Sequence, residues 1–203
     1  MPKPLGEPAS TAVVFIECQA GVIGENSILP NLRAELGNLV ERLARLAGAA
    51  RSAGVLVAHA TSDGSRGGRG ATSAPLNRML TPQIADWGPG HPGTAVVPEL
   101  LADTDVVLSR QHGLMPTHNT DLIPYLRRAG IKTVIFAGVS ANVSIPLCTG
   151  EATEEGFDVV IARDALGGSP ADYVDAVVSN TLAMLATIST IDELAAHWGA
   201  PAY

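Results

Sequence analysis

A carboxylate, a guanidinium and a hydroxyl stand just past three apolar runs of this chain, and these are the groups equipped for chemistry. Glu17 follows TAVVFI (Thr11 to Ile16), Arg110 closes VVLSR, and Ser144 ends FAGVSANVS, which starts at Phe136. A charge placed directly after a run built for burial needs a partner or a task, because an unpaired buried charge is expensive. Glu17 can serve as base or acid. Arg110 keeps its proton at any working pH, so its use is to hold an anion, either Glu17 or a carboxylate of the substrate. A fixed cation favours the ionised form of a carboxylate, which makes Glu17 a poor acid unless a ligand draws Arg110 away. The hydroxyl of Ser144 is a weak nucleophile that needs a good base, usually histidine. Its plainer role is at a helix N-terminus, where a hydroxyl meets free backbone N–H groups.

Other side chains compete for roles. His112 follows Arg110 closely and titrates near neutrality, so it is a general acid/base candidate or an exposed loop histidine. Trp87 is a pocket candidate in a chain with only 4% aromatic residues, where any aromatic in a cleft stands out. Cys148 lies one helical turn after Ser144 and shares its face; it is either a displaced nucleophile or a small core residue. Cys18, next to Glu17 on extended chain, points the other way and is expected in the core. His59, Asp63, His91, His112 and His118 lack the spacing of a metal cluster, so no metal is expected. The glycine-rich stretch Gly64 to Gly70 matches neither a nucleotide-binding loop nor a dinucleotide fingerprint. It reads as a flexible lid in which Arg66 and Arg69 could greet an anion.

These groups need elements to position them. Thr11–Ile16, Val55–Ala60, Asp105–Leu108, Thr133–Ala137, Asp158–Ala162 and Thr187–Ser189 read as strands, short and rich in β-branched residues. Helical spacing predicts Leu29–Ser52, Thr120–Ala129, Val143–Glu155, Ala171–Leu185 and Ile191–Trp198 as helices. The segment Thr61 to Gly93, rich in Gly, Ser, Pro and Arg, reads as one long loop, which in a compact domain is usually functional. Strands alternating with helices predict an α/β fold: a three-layer, Rossmann-like arrangement with a mainly parallel six-stranded sheet and helices on both faces. The whole chain, residues 1–203, is expected to form a single domain.

Open parallel sheets bind ligands beyond the carboxyl ends of their strands. Glu17, Cys18 and Gln19 should therefore meet His59, Thr61 and Asp63, Arg110 and His112, Ser140, Asn142 and Ser144, and Arg163 and Asp164 in one crevice. With 203 residues, 46% of them hydrophobic, the chain can build a sizeable core. A net charge of −7 argues against a general nucleic-acid binder. No apolar stretch is long enough for a membrane span. The two cysteines make no disulfide framework, and the residues Met1 to Pro8 have no apolar signal core, so a cytoplasmic protein is expected.

The chain resembles the isochorismatase-like cysteine hydrolases along nearly its whole length. VVFIECQ (Val13 to Gln19) resembles the family's first strand, which ends in Asp-x-Gln. GHPGTAVVPEL (Gly90 to Leu100) resembles its Gly-x-x-Gly segment. VVLSR resembles the strand that ends in a lysine, Thr120-Asp121-Leu122 the start of the next helix, and GVSANVS (Gly138 to Ser144) the nucleophile turn. Ala152, GFDVVI from Gly156 and Asp164-Ala165 complete the pattern. Each piece is weak alone, and together they are specific.

The resemblance implies a catalytic set at Glu17, Arg110 and Ser144, where cysteine-bearing relatives have Asp, Lys and Cys. Glu17 keeps the carboxylate with its reach shifted by roughly 1 Å. The resemblance also implies a cis peptide between Val139 and Ser140, substrate contacts from Gln19, Trp87, His112, Val139, Ser140 and Asn142, no cofactor, and a homo-oligomer (dimer or tetramer). The expected function is a hydrolase of a small, anionic substrate, with Glu17 as acid/base and Arg110 as anion clamp. Some family members cleave a vinyl ether by protonating carbon, without a thiol. Two alternatives stand beside it: an amidohydrolase dependent on Ser144 or Cys148, and an inactive homologue that binds a small ligand or a partner.

Overall fold

The computed structural model describes residues 5–64 and 73–200. Six parallel strands form one sheet: β1 (Thr11–Ile16), β2 (Leu56–Ser62), β3 (Val106–Arg110), β4 (Thr133–Gly138), β5 (Asp158–Leu166) and β6 (Thr187–Ser189), in the order β3-β2-β1-β4-β5-β6. β1 is central, with all six residues buried. Its neighbours run in register, Ile16 opposite Ala60 of β2 and Gly138 of β4. The chain winds outward from β1 in one direction through β2 and β3, then restarts at β4 on the other side. That reversal opens a crevice beyond the carboxyl ends of β1 and β4.

Nine α-helices connect the strands among the described residues: α1 (Ala20–Ile23), α2 (Pro30–Glu35), α3 (Leu39–Ser52), α4 (Pro75–Leu80), α5 (Leu122–Arg128), α6 (Ser144–Glu154), α7 (Ala171–Val177), α8 (Ala183–Leu185) and α9 (Ile191–Trp198). Alternation along the strands divides the core. Val13 and Phe15 pack with Leu39, Leu43 and Leu46 of α3 and with Leu194 of α9 on one face. Val14 and Ile16 pack with Leu126 of α5 and with Ile145 and Cys148 of α6 on the other. Each large apolar side chain buried this way contributes about 1.5–3 kcal/mol, so the two layers hold the sheet between them. Among the described residues, no helix is long and apolar enough to cross a membrane.

Several element boundaries differ from the sequence expectation for local reasons. The helix expected over Leu29–Ser52 is two, because Gly37 adopts a left-handed φ of +55° between them. The helix expected over Ala171–Leu185 passes through a π turn at Val178–Leu182. The long loop after β2 contains α4 and a 3-10 turn, Thr81–Ile84. Pro75 starts α4 at a position where its missing N–H costs nothing. β5 runs on to Leu166, four residues past its expected end.

Candidate active site

Glu17 sits at the carboxyl end of β1 in left-handed backbone, φ +53°, a conformation uncommon for any residue but glycine. Its N–H donates to the Ala60 carbonyl at 2.9 Å, which ties the turn to β2. The left-handed residue ends the strand's in–out alternation, so the carboxylate leaves the sheet instead of entering either core.

Arg110 is the last residue of β3, two strands away from β1. Its guanidinium crosses the end of β2, donating to the Thr61 carbonyl at 3.4 Å and to the Gly113 carbonyl at 3.5 Å, and it pairs with Glu17 Oε1. The pair is sequestered: the side chains are 3% exposed for Arg110 and 19% for Glu17. A buried pair of this kind needs its further hydrogen bonds to offset desolvation, and the two carbonyls supply some of them. Arg110 therefore clamps Glu17 itself. Among the described residues this leaves its charge already answered before any substrate arrives.

Ser144 opens α6 and is buried. Its hydroxyl donates to Glu17 Oε2 at 3.3 Å. The expected capping role yields to that bond. The turn that delivers Ser144 is pinned on both sides: the Val139 N–H donates to Ile16 O, Ala141 N–H to Gly167 O, and Gly167 N–H to Gly138 O. Gly138, with φ +105°, is required here, since a Cβ would lie 2.4 Å from the Ile16 carbonyl oxygen. The Val139–Ser140 peptide is cis.

Two recesses adjoin these groups. A small cavity of about 60 Å³ is lined by Glu17, Arg110, Ser62 and His112, with Asn77, Leu80, Thr81 and Ile84 of the α4 region as its cover. A larger cleft of about 510 Å³ has Ser140, Asn142 and Val143 on one wall and Leu76 and Met79 of α4 on another. A separate polar recess of about 560 Å³ is bordered by Asp63, Arg110, His112, Asn119 and Asp121.

Of the residues expected at the site, Glu17, Arg110 and Ser144 converge, His112 borders the carboxylate cavity, and Ser140 and Asn142 line the larger cleft. His112 is exposed, its Nε2 3.1 Å from the Asn119 carbonyl. Gln19 is fully buried; its amide donates to the Ser62 and Thr94 carbonyls at 2.9 and 2.8 Å and accepts from the Ser62 N–H at 2.7 Å. As placed, it braces the loops. Val139 points into the core, and Trp87 stacks on His91 beside a different cavity, away from Glu17.

Three residues expected in the crevice are elsewhere. His59 lies inside β2, 1% exposed, with Nε2 2.9 Å from Asp105 Oδ2 and its ring stacked on Phe15. Arg51 of α3 closes the group with bonds of 3.0 and 2.6 Å to Asp105. Burial holds the His59 imidazole below its usual pKa, against the pull of Asp105. Asp105 is held low even though burial opposes it, because Arg51 and His59 bond its carboxylate. Arg163 and Asp164 are inside the lengthened β5, where Asp164 accepts from the Ile191 N–H at 3.0 Å. Arg66 and Arg69 lie outside the described residues.

Both cysteines are core residues. Burial pushes the Cys148 thiol up to about 12, although Thr117 and Arg110 favour its thiolate. Burial and the neighbouring Glu17 charge push Cys18 up as well. A thiol buried and held protonated in this way is a poor nucleophile as placed. Among the described residues, no group of three His, Cys, Asp or Glu side chains is arranged to hold a metal ion. The residues missed by sequence reading are those of α4, whose six residues are too few to show a helical period; Pro75 was the one signal.

The family model described as Isochorismatase domain matches residues 11–193. The chain is 31% identical over 93 residues to the uncharacterized isochorismatase family protein YecD of Escherichia coli O157:H7, 45% of this chain and 48% of that one, so it spans about half the length of that relative. It is 29% identical over 139 residues to maleamate amidohydrolase of Pseudomonas putida, 66% of this chain and 62% of that one. Its fold is similar to that of a cysteine hydrolase from Pseudomonas syringae pv. phaseolicola, with a TM-score of 0.78 at 20% identity over 98% of both chains.

Proposed function

The chain belongs to the isochorismatase family, and from that premise we propose that it hydrolyses a small amide with Glu17 as the proton-transfer group. The observation that carries this is the bridging carboxylate of Glu17, one oxygen on Arg110 and the other facing the Ser144 hydroxyl at 3.3 Å. The likeness to maleamate amidohydrolase supports an amide as the scissile bond.

In this reading Arg110 orients Glu17 by holding one of its carboxylate oxygens. Water attacks the amide carbon. A C–O bond forms as Glu17 takes the water proton; the C–N bond then breaks as Glu17 returns that proton to the leaving nitrogen. General acid–base help of this kind contributes about 10²–10⁴-fold. Ser144 orients the carboxylate and holds space beside it.

A second reading makes Ser144 the nucleophile, and the same 3.3 Å bond favours it. Its Oγ would form the bond to carbon as its proton passes to Glu17, the C–N bond would break as Glu17 gives that proton to the leaving nitrogen, and water, losing a proton to Glu17, would then cleave the Oγ–C bond, with that proton returned to Oγ. The test is Glu17→Gln and Ser144→Ala against a panel of small amides. Loss of turnover in the first with retention in the second supports water as nucleophile. Loss in both, with an acyl adduct on Ser144 by mass spectrometry, supports the second reading. Turnover unchanged in Glu17→Gln sinks both.

A further inference from the structure

Glu17 and Arg110 stand on strands that are not neighbours, so their meeting depends on how firmly the end of β2 is held between them. Two backbone bonds do part of this. The Glu17 N–H donates to the Ala60 carbonyl at 2.9 Å, and the Asp63 N–H to the Arg110 carbonyl at 2.8 Å. The register of β1 with β2 ends at Ile16 and Ala60, where the left-handed turn at Glu17 carries the main chain away. Ser62, the last residue of β2, lies beyond that point.

The side chain of Gln19 reaches back to it. Its amide oxygen accepts from the Ser62 N–H at 2.7 Å, and its amide nitrogen donates to the Ser62 carbonyl at 2.9 Å. One side chain thus satisfies both main-chain groups of Ser62. The nitrogen also donates to the Thr94 carbonyl at 2.8 Å, so both of its hydrogens are used. The backbone of Gln19 is itself fixed by an antiparallel bridge to Val96, beside which the Val97 N–H donates to the Cys18 carbonyl at 3.1 Å. Gln19 has no solvent exposure. Ser62 in turn is the register partner of Arg110 and lines the cavity beside the ion pair. A continuous path of bonds therefore runs from Glu17 along the chain to Gln19, through its amide to Ser62, and across to Arg110.

We propose that Gln19 is a positioning residue for the Glu17–Arg110 pair. Through Ser62 it fixes the separation of the two strand ends, and with it the orientation of the Glu17 carboxylate toward the scissile bond. The consequence for turnover rests on the amide-hydrolysis reading; the consequence for the ion pair does not. A displacement of about 1 Å in a reacting group can lower a rate roughly a hundredfold. A buried brace can therefore control proton transfer without touching substrate.

The direct measurement is the coupling between Glu17 and Arg110. It comes from urea unfolding of Glu17→Gln, Arg110→Met and the double variant, repeated in a Gln19→Met background. Methionine is similar in length and removes all three side-chain bonds. The coupling should fall by at least about half. A brace with a structural role alone would lower the stability of all four proteins alike and leave the coupling unchanged, which overturns the proposal. Gln19→Glu covers the case in which Gln19→Met does not fold. Its protonated carboxyl can accept from the Ser62 N–H and donate to one carbonyl, whereas its ionised form sets a charge against two carbonyls. Burial favours the protonated form, so relative to the wild-type background the coupling should be retained at about pH 5 and reduced at about pH 8. Equal coupling at both also overturns the proposal.

Kinetics with benzamide and hexanamide give the second readout. At about pH 8, Gln19→Glu should lower kcat at least about tenfold and change KM less than about threefold. A loss carried by KM alone contradicts positioning. If the wild type hydrolyses neither amide while the coupling falls as expected, the amide reading fails and the positioning assignment stands. If hydrolysis depends on Glu17 but the coupling ignores Gln19, the mechanism stands and the positioning assignment falls.

Discussion

The Ser144 hydroxyl donates to Glu17 Oε2 at 3.3 Å, joining residues 127 positions apart in the chain. That bond, with the Arg110 pair on the other carboxylate oxygen, makes Glu17 the shared member of a three-residue group. It also means that the three side chains constrain one another. The carboxylate is thereby bonded on both oxygens.

The Glu17–Arg110 pair is expected to be strongly coupled. Arg110→Met should strand a carboxylate that is 19% exposed, and Glu17→Gln should strand a guanidinium that is 3% exposed. Removing one partner of a buried pair costs roughly 3–5 kcal/mol, and the double variant should be less destabilised than the sum of the singles. Urea unfolding of the four proteins in the cycle measures this. Strictly additive losses would mean that the pair is not formed in solution.

Ser144→Cys puts a thiol beside the carboxylate that now accepts from the hydroxyl. Its alkylation by iodoacetamide in the folded protein should be at least about tenfold faster than that of either native cysteine. Peptide mapping after timed quenching separates the three sites. Equal rates would show that position 144 is closed to small reagents, and the amide-hydrolysis reading would weaken with it.

Cys148 provides the complementary expectation. Its thiol is fully buried and pushed up to about 12, so at pH 8 the thiolate fraction is very small. Folded protein should resist labelling at Cys148 until denaturant is added, and Cys148→Ala should keep whatever turnover the wild type has. A stable adduct on Cys148 after incubation with an amide would overturn this expectation and favour Cys148 as the nucleophile.

The His59–Asp105–Arg51 group predicts acid sensitivity away from the candidate site. The folded-state pKa of His59 lies below the ordinary value of 6.5, so the unfolded chain binds its proton first as pH falls. Stability should therefore be complete above about 6.5 and decline as pH falls through the lower folded value. Asp105, also held below its ordinary 3.8, adds a second loss with the same sign at lower pH. Unfolding midpoints between pH 8 and 4, compared with His59→Phe, test this. The first decline should be absent in the variant, and its persistence would assign it to another group.

Much of the fold is legible in the chain because it is written locally. TAVVFI is a buried strand by composition, and β6 and α9 fall where their residue patterns put them. Gly37 shows the limit of that local reading: apolar spacing carries straight across it, and only its left-handed φ divides α2 from α3. α4 is a harder case, since six residues with one proline at the start hold too little periodicity to be distinguished from loop.

The site divides in the same way. Sequence by itself determined an α/β chain with a carboxylate, a guanidinium and a hydroxyl at the ends of strands or turns, and the family motifs around them. Tertiary structure decided which polar residues meet. Glu17 and Arg110 pair across 93 positions and a whole intervening strand, whereas His59 and Asp164, equally polar but inside their strands, turn to partners in the scaffold. It also decided that Arg110 faces Glu17. The reason is physical: strand and helix signals arise from neighbours in sequence, while the partner of a buried charge is set by the packing of elements that are distant along the chain.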